Sequence, residues 1–447
     1  MSIDKQGLQF AGEIDIQSLV VVNADSVFLD IRDYLVELNI YEDIFSNCLH
    51  GTLQLSDSRN LIKELDIVGN ETLIVKVTTP SFKTGINKQF RIYSVSDRII
   101  VRDQNTQIYT LHFCSQEAIK DSLTPLYRSF KGRIDNVVQN IYEEYLATPR
   151  TYNVVQSDVK INNAVTELYQ LNPTENSVKF VSPGWTPLQC INWLSSKSIP
   201  SFGKSNNYLF WETTQAFYFG NLETIFQINN SSGLGNLGKY RYAAKNVADG
   251  TDSVEQKMFM VQDVEIVKTT DHLQNYFSGY LANRLITLDV INKKYELVDY
   301  DHVDNFSQYD HTAGKGGLPL FAQNSPRAPG SSVKFYPVNP GLHTLKNNIS
   351  EKISRIHGNR ISSMMELNNF KLHLTVPGRT DAEVGSMMYF SYPDVSPNSS
   401  EDASKTNEDV FYSGNYLVTA IRHKINLFNH SMTMEIVKDS LSNKAGE

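Results

Sequence analysis

The densest run of ionisable side chains in this sequence is Asp299, Asp301, His302, Asp304, Asp310 and His311. Carboxylates and imidazoles are groups that a divalent metal accepts, yet this spacing matches no loop with a defined ligand geometry. The run therefore reads as a solvated acidic loop, and no metal or cofactor is expected. Asp57-Ser58 suits the cap of a short helix. His112, alone on an alternating strand, suits a satisfied structural residue. His423 and His430 near the C-terminus read as structural or interfacial. GNLGKY near 235 lacks the spacing and flanking strand of a phosphate loop, and neither G-x-S-x-G nor H-E-x-x-H occurs. Paired carboxylates for glycoside hydrolysis are set in space and not by sequence; nothing here points to them. No catalytic residue is assigned, and the expectation is a chain that is not an enzyme.

The elements that would position such groups are strands. In FYSGNYLVTAIRHKINLFNHSMTMEIVKDSL, Tyr416, Val418, Ile421, His423 and Ile425 follow at steps of two, three, two and two. FRIYSVSDRIIVRD repeats those steps with Phe90, Ile92, Val95, Asp97 and Ile99. Both pass a polar turn (Arg102 to Gln107; Asn429 to Ser431) into a returning strand. That strand alternates as Tyr109, Leu111, Phe113 in one copy and Met432, Met434, Ile436 in the other. Such alternation predicts a β-hairpin with one buried face, and the step of three predicts a β-bulge. Upstream, Asp66-Ile-Val68-Gly69 resembles Ala382-Glu-Val384-Gly385, and Leu53 and Leu55 are matched to Leu372 and Leu374. The chain is read as carrying two related β-modules far apart in sequence.

Composition bounds the rest. With 447 residues, about three domains are expected. An apolar fraction of 40%, with 22 Phe and 23 Tyr, indicates a folded, β-rich chain. The net charge of −8, with interspersed Lys and Arg, excludes the basic stripe of a nucleic-acid binder. Cys48, Cys114 and Cys190 are odd in number and far apart, against a disulfide framework and in keeping with a reducing compartment. No segment approaches 18 apolar residues, and MSIDKQGLQF lacks a signal pattern, so neither membrane insertion nor export by a cleaved signal is expected.

In order, 1–120 reads as the first β-module, with strands near 16–22, 26–31, 34–41, 50–56, 72–78, 88–101 and 107–115. Residues 121–204 form a helical or mixed module. Ile134, Val137, Val138, Ile141, Tyr142 and Tyr145 share a helical face. Thr186-Pro187 opens a second helix presenting Cys190, Ile191, Trp193 and Leu194. The strands YLFWET and AFYFGNL then begin the second module, read as 205–240 plus 345–447. Between them, 241–344 is an inserted peripheral domain. It holds a helix with Leu273, Phe277, Tyr280 and Leu281, and a strand at 285–292. Its stretch 311–340 has four Gly and five Pro, too many for regular structure. A helical stripe of Leu345, Ile349, Ile353 and Ile356 leads back to Phe370.

HGTLQLSDSRNLIKELDIVGNETLIVKV, GWTPLQCINWLSSKSI with YLFWETTQAFYFGN, and FKLHLTVPGRTDAEVG with the closing ribbon resemble, in that order, the central baseplate hub of contractile-tailed bacteriophages. The hub portion of type six secretion spike proteins is a more distant likeness. Coverage is most of the chain, with 228–344 matching poorly. The resemblance implies a β-rich α+β fold with two tail-tube-like antiparallel barrels per chain. It implies a homotrimer whose six modules form a ring of pseudo-six-fold symmetry, joining a three-fold central spike to six-fold tail-tube or tube-initiator proteins. Other baseplate proteins would meet the insertion. DNA would pass the lumen without specific binding, and the protein would reside in the virion tail after assembly in the host cytoplasm. A weak expectation places Phe90, Ile92, Val95, Tyr416, Val418 and Ile421 at subunit junctions. The alternatives are a virion-associated cell-wall hydrolase, marked by an α-rich domain with an acidic pair, and a receptor-binding tail protein, marked by shaft repeats.

Overall fold

The structure is a computed structural model that describes all residues except 1–6, 83, 102–105, 148–165, 228–233, 243–252, 270, 291, 314–316, 319–321, 323–324, 339–348, 395–407 and 442–447. The first repeat contains β1 (Asp15–Val22), β2 (Phe28–Asp30), β3 (Leu35–Asp43), β4 (His50–Asp57), β5 (Thr72–Thr78), β6 (Ile86–Val101) and β7 (Thr106–Ser115). Alternation drives them: in β7 every second side chain, including Tyr109, Leu111 and Phe113, enters one core. A short helix α1 (Leu61–Glu64) follows β4. The Asp57 carboxylate accepts from the backbone N–H of Arg59, Asn60 and Leu61 at 2.7–2.8 Å, so it caps this turn from four residues before Leu61.

The middle of the chain supplies α2 (Gln116–Leu123), β8 (Ser129–Arg133), α3 (Ile134–Ile141), β9 (Leu168–Gln170), β10 (Ser177–Val181), α4 (Pro187–Ser195), β11 (Tyr208–Glu212), β12 (Phe217–Asn221) and α5 (Leu222–Gln227). Thr186 and Gln189 form a capping box around Pro187 and start α4. Cys190, Ile191 and Leu194 face the core while Trp193 is partly buried. The hairpin β11–β12 pairs with β9 in a sheet of its own. Tyr208, Phe210, Phe217 and Phe219 pack on the helices, and Trp211, Ala216 and Tyr218 pack on the second repeat. The hairpin is therefore a two-faced wedge, outside the sheet that was expected to contain it.

The second repeat contains β13 (Asn236–Tyr242), β14 (Met260–Val261) and β15 (Asp263–Lys268), the last two after α6 (Val254–Lys257). Two strands of the expected insertion thus belong to the sheet. The separate unit starts at α7 (His272–Ser278) and includes β16 (Ala282–Asp289), β17 (Lys294–Asp301), α8 (His302–Asn305) and β18 (Val333–Val338). Leu273 and Phe277 of α7 are exposed, while Tyr280 and Leu281 lie beyond its end in a small core. Helix α9 (Ile349–Glu366) then leads to β19 (Phe370–Pro377), β20 (Met387–Ser391), β21 (Gly414–Ile425) and β22 (His430–Lys438). Leu345 of the expected stripe lies outside the described residues, and Ile356 is buried.

The strand order repeats, with one difference in direction: β1 runs antiparallel to β5, and β13 runs parallel to β20. The first copy runs β3-β4-β7-β6-β5-β1, and the second runs β15-β19-β22-β21-β20-β13. The bulge recurs at the same place: pairing slips after Ile92, skipping Tyr93, and after Val418, skipping Thr419. Two details differ from the sequence match. Leu53 faces Leu111 while Leu374 faces Met434, so Leu53 corresponds to Leu374, two residues along from the assumed partner. β6 also has a second slip between Ser96 and Ile99, with Asp97 at φ 54°, which β21 lacks.

The expected pair of closed barrels is replaced, among the described residues, by one 14-stranded sheet. Its two halves join where Ala420–Ile425 of β21 pair with Leu38–Asp43 of β3. Strands that hydrogen-bond across the join satisfy a β3 edge that would otherwise be open.

Candidate functional site

The join between the repeats also buries several ionisable groups. β3 delivers Glu42, the hairpin tip delivers Glu212, Thr213 and Thr214, and the loop before β20 delivers Glu383. Glu42 accepts from the backbone N–H of Thr214 at 3.0 Å and of Val384 at 3.1 Å, so one carboxylate ties first repeat, wedge and second repeat together. His423 Nε2 stands 3.5 Å from Glu42 Oε1, and His423 Nδ1 is 3.1 Å from His430 Nε2. Burial, together with the neighbouring His423, holds His430 well below the usual imidazole range.

Glu383 accepts from Thr213 Oγ1 at 2.7 Å and Tyr218 OH at 3.3 Å. Burial and the adjacent Glu42 push its carboxyl up to about 8. Beside it, Lys88 and Glu212 form a buried ion pair at 2.8 Å, and Glu212 also accepts from Leu49 N–H at 2.9 Å. Such a pair does little for net stability but fixes register, because removing one partner strands a charge.

This chemistry holds parts together. The thiols nearby are quenched: burial first, then Glu212, raises Cys48 well above its ordinary value and Cys114 to about 11. Glycine permits the closest approach. A Cβ on Gly378 would meet the His430 ring at 2.1 Å, and Gly378 N–H donates to His430 O at 2.7 Å. None of these seam carboxylates stood out in the sequence, where each lies in or beside a strand.

Of the six residues expected at junctions, Phe90, Ile92, Tyr416, Val418 and Ile421 are buried in the cores, and Val95 is partly buried. Their side chains hold each hairpin together from within. The exposed apolar groups lie at the far ends of the same hairpins: Ile99 and Ile100 on β6, and Phe428 in the turn after β21. The turn Arg102 to Gln107 lies largely outside the described residues.

The acidic run from Asp299 splits in two. Asp299, Asp301 and Asp304 pair with Arg284 and Arg327 on the outside. His302 and His311 turn inward, to Glu366 and Asp439. His112 contacts Ser96 Oγ at 2.8 Å, a structural role.

No helix among the described residues is long and apolar enough to cross a membrane. No model of a known protein family matches the chain. The chain is 21% identical, over 429 residues, to a probable baseplate hub protein of Vibrio phage KVP40, covering 93% of this chain and 92% of that one. Its fold matches the tail protein from Neisseria meningitidis MC58 with a TM-score of 0.51 at 9% identity, covering 94% and 96% of the two chains. It matches the 43 kDa tail protein of prophage MuSo2 from Shewanella oneidensis with the same score at 8% identity, covering 95% and 99%. The resemblance read from the sequence is met in these comparisons: the chain is similar along almost its whole length to a phage baseplate hub protein and has the fold of phage tail proteins.

Proposed function

We propose that this chain is a structural hub of a phage tail baseplate, three copies of which close a ring of six repeats. One observation carries the reading. Within the chain, the far half of β21 pairs with β3 of the other repeat. The corresponding half of β6, from Ser94 to Val101, pairs among the described residues only with β7. The strand that corresponds to β3 is β15, which among the described residues pairs only with β19. Both open edges carry exposed apolar residues, Ile99 and Ile100 on β6 and Ile266 and Val267 on β15. Open edges of this kind invite pairing.

Repeating the internal contact between chains joins β15 of one copy to β6 of the next. The internal register would place Ile100 opposite Val264 and Ile99 opposite Glu265. Such a heterologous contact closes a ring if the rotation suits. Three chains of two repeats then offer three-fold symmetry to a central spike and near six-fold symmetry to the tail tube. The two repeats would be the tube-like modules of the ring, though neither closes by itself. The unit from α7 to β18 would lie outside, towards other baseplate proteins. The lumen would let DNA pass without specific contact, in keeping with the acidic balance.

The test is a cysteine pair, Ile100→Cys with Val264→Cys, in the full chain under mild oxidation. The reading expects covalent dimers and trimers from the double variant and neither from the single variants. A stable trimer that never cross-links would overturn the edge contact, and a lasting monomer would count against self-assembly.

A further inference from the structure

Away from the seam, three buried ligand-type side chains converge from three elements. His311 follows α8, Glu366 ends α9, and Asp439 follows β22. One ligand atom from each lies within 4.8 Å of the others, and all three residues are buried. We propose that His311 Nδ1, Asp439 Oδ2 and a Glu366 oxygen bind one divalent transition-metal ion of the zinc class.

The ring of supporting contacts favours this. His311 Nε2 lies 2.9 Å from Phe306 O, and donation there leaves Nδ1 as a lone pair facing Asp439 Oδ2 at 2.8 Å. A nitrogen and an oxygen at that distance are joined either by a proton on Nδ1 or by a metal ion. The other Asp439 oxygen accepts from Thr312 N–H at 2.9 Å, Thr312 Oγ1 at 2.6 Å and Ser440 Oγ at 3.0 Å. Glu366 is oriented by Tyr280 OH at 3.1 Å and His302 Nε2 at 3.0 Å. Metal ligands are held by partners of this sort.

Charge decides between a metal and a proton. One proton on His311 leaves two carboxylates against a single positive charge. The adjoining cavity of about 20 Å³ is lined by Glu223 and Asp310 as well, and by no lysine or arginine among the described residues. An uncompensated buried charge is costly. A neutral imidazole, two carboxylates and a divalent ion sum to zero. The cavity has room for about one water-sized ligand, enough to complete a tetrahedral set. The ion would clamp the peripheral unit to the end of the second repeat. The inference does not depend on the hub reading.

The experiment uses tag-free full-length protein, stripped with chelator and titrated with zinc at pH 7 in weak buffer. Expected are about one zinc per chain by elemental analysis, proton release on binding, and a rise in Tm of about 3 °C. His311→Gln and Asp439→Asn should lose the zinc and the Tm response. If neither variant folds, proton release and stoichiometry on the wild-type chain decide. No zinc retained and no Tm shift at tenfold excess would overturn the site and assign it to a proton. An equal response in folded His311→Gln would do the same.

Discussion

Ile92 and Val418 hold the same place in two copies of one hairpin. Ile92 faces Phe113, Val418 faces Ile436, and each is followed by one skipped residue before pairing resumes. Beyond that bulge the copies differ: β6 slips again between Ser96 and Ile99, and β21 continues against β3, whereas among the described residues that half of β6 pairs with β7 alone.

The core of the second repeat depends on Ile421, which is buried and packed with Met434 and its neighbours. Ile421→Asp places an unpaired carboxylate there and is expected to cost more than about 4 kcal/mol. Thermal unfolding checks this; an unchanged Tm and unchanged assembly would contradict it.

Glu383 gives the seam a pH dependence. Its folded-state value is raised, to about 8 against an ordinary 4.5. Its contribution is therefore fully present below about pH 4.5 and is lost as pH rises through about 8, when it ionises beside Glu42. Between pH 6 and 9.5 the wild type should lose on the order of 3 kcal/mol from this group. Glu383→Gln should show a flatter profile over that window in denaturant titrations. An identical slope would rule the group out.

The approach of Gly378 to His430 leaves no room for a side chain. Gly378→Ala should destabilise by about 2 kcal/mol through overpacking, read as a lower denaturation midpoint. A midpoint equal to the wild type would show that the loop yields freely.

At the open edge the expectation is reversed. Ile99 and Ile100 are exposed, so Ile100→Lys should leave the unfolding free energy of the isolated subunit within about 0.5 kcal/mol of the wild type. It should nevertheless weaken self-association, because a charge on an edge strand discourages pairing. Sedimentation of wild type and variant at matched concentration separates the two effects.

The strands of the first repeat were legible because one face of each is buried and the other is wet, which writes period two into the sequence. The shared bulge was legible as a step of three. The second bulge of β6 was not, since only the left-handed backbone at Asp97 reveals it. The upstream strands were matched two residues out of place, because alternation is unchanged by a slip of two. Separate barrels were expected, yet the join of β3 to β21 depends on residues nearly four hundred positions apart. The seam was hidden for the same reason: Glu42 and Val384 are 342 residues apart. The acidic run near 300 looked uniform, and only the packing of α8 against α9 turns His302 inward while its aspartates stay wet.

The mass of the full-length chain in solution, by light scattering at low micromolar concentration, tests the central claim most directly when set beside Ile100→Lys. The expected mass is three times 50.6 kDa for the wild type, shifting towards a single chain for the variant. A wild-type monomer at every concentration, or a trimer that Ile100→Lys leaves intact, would contradict it.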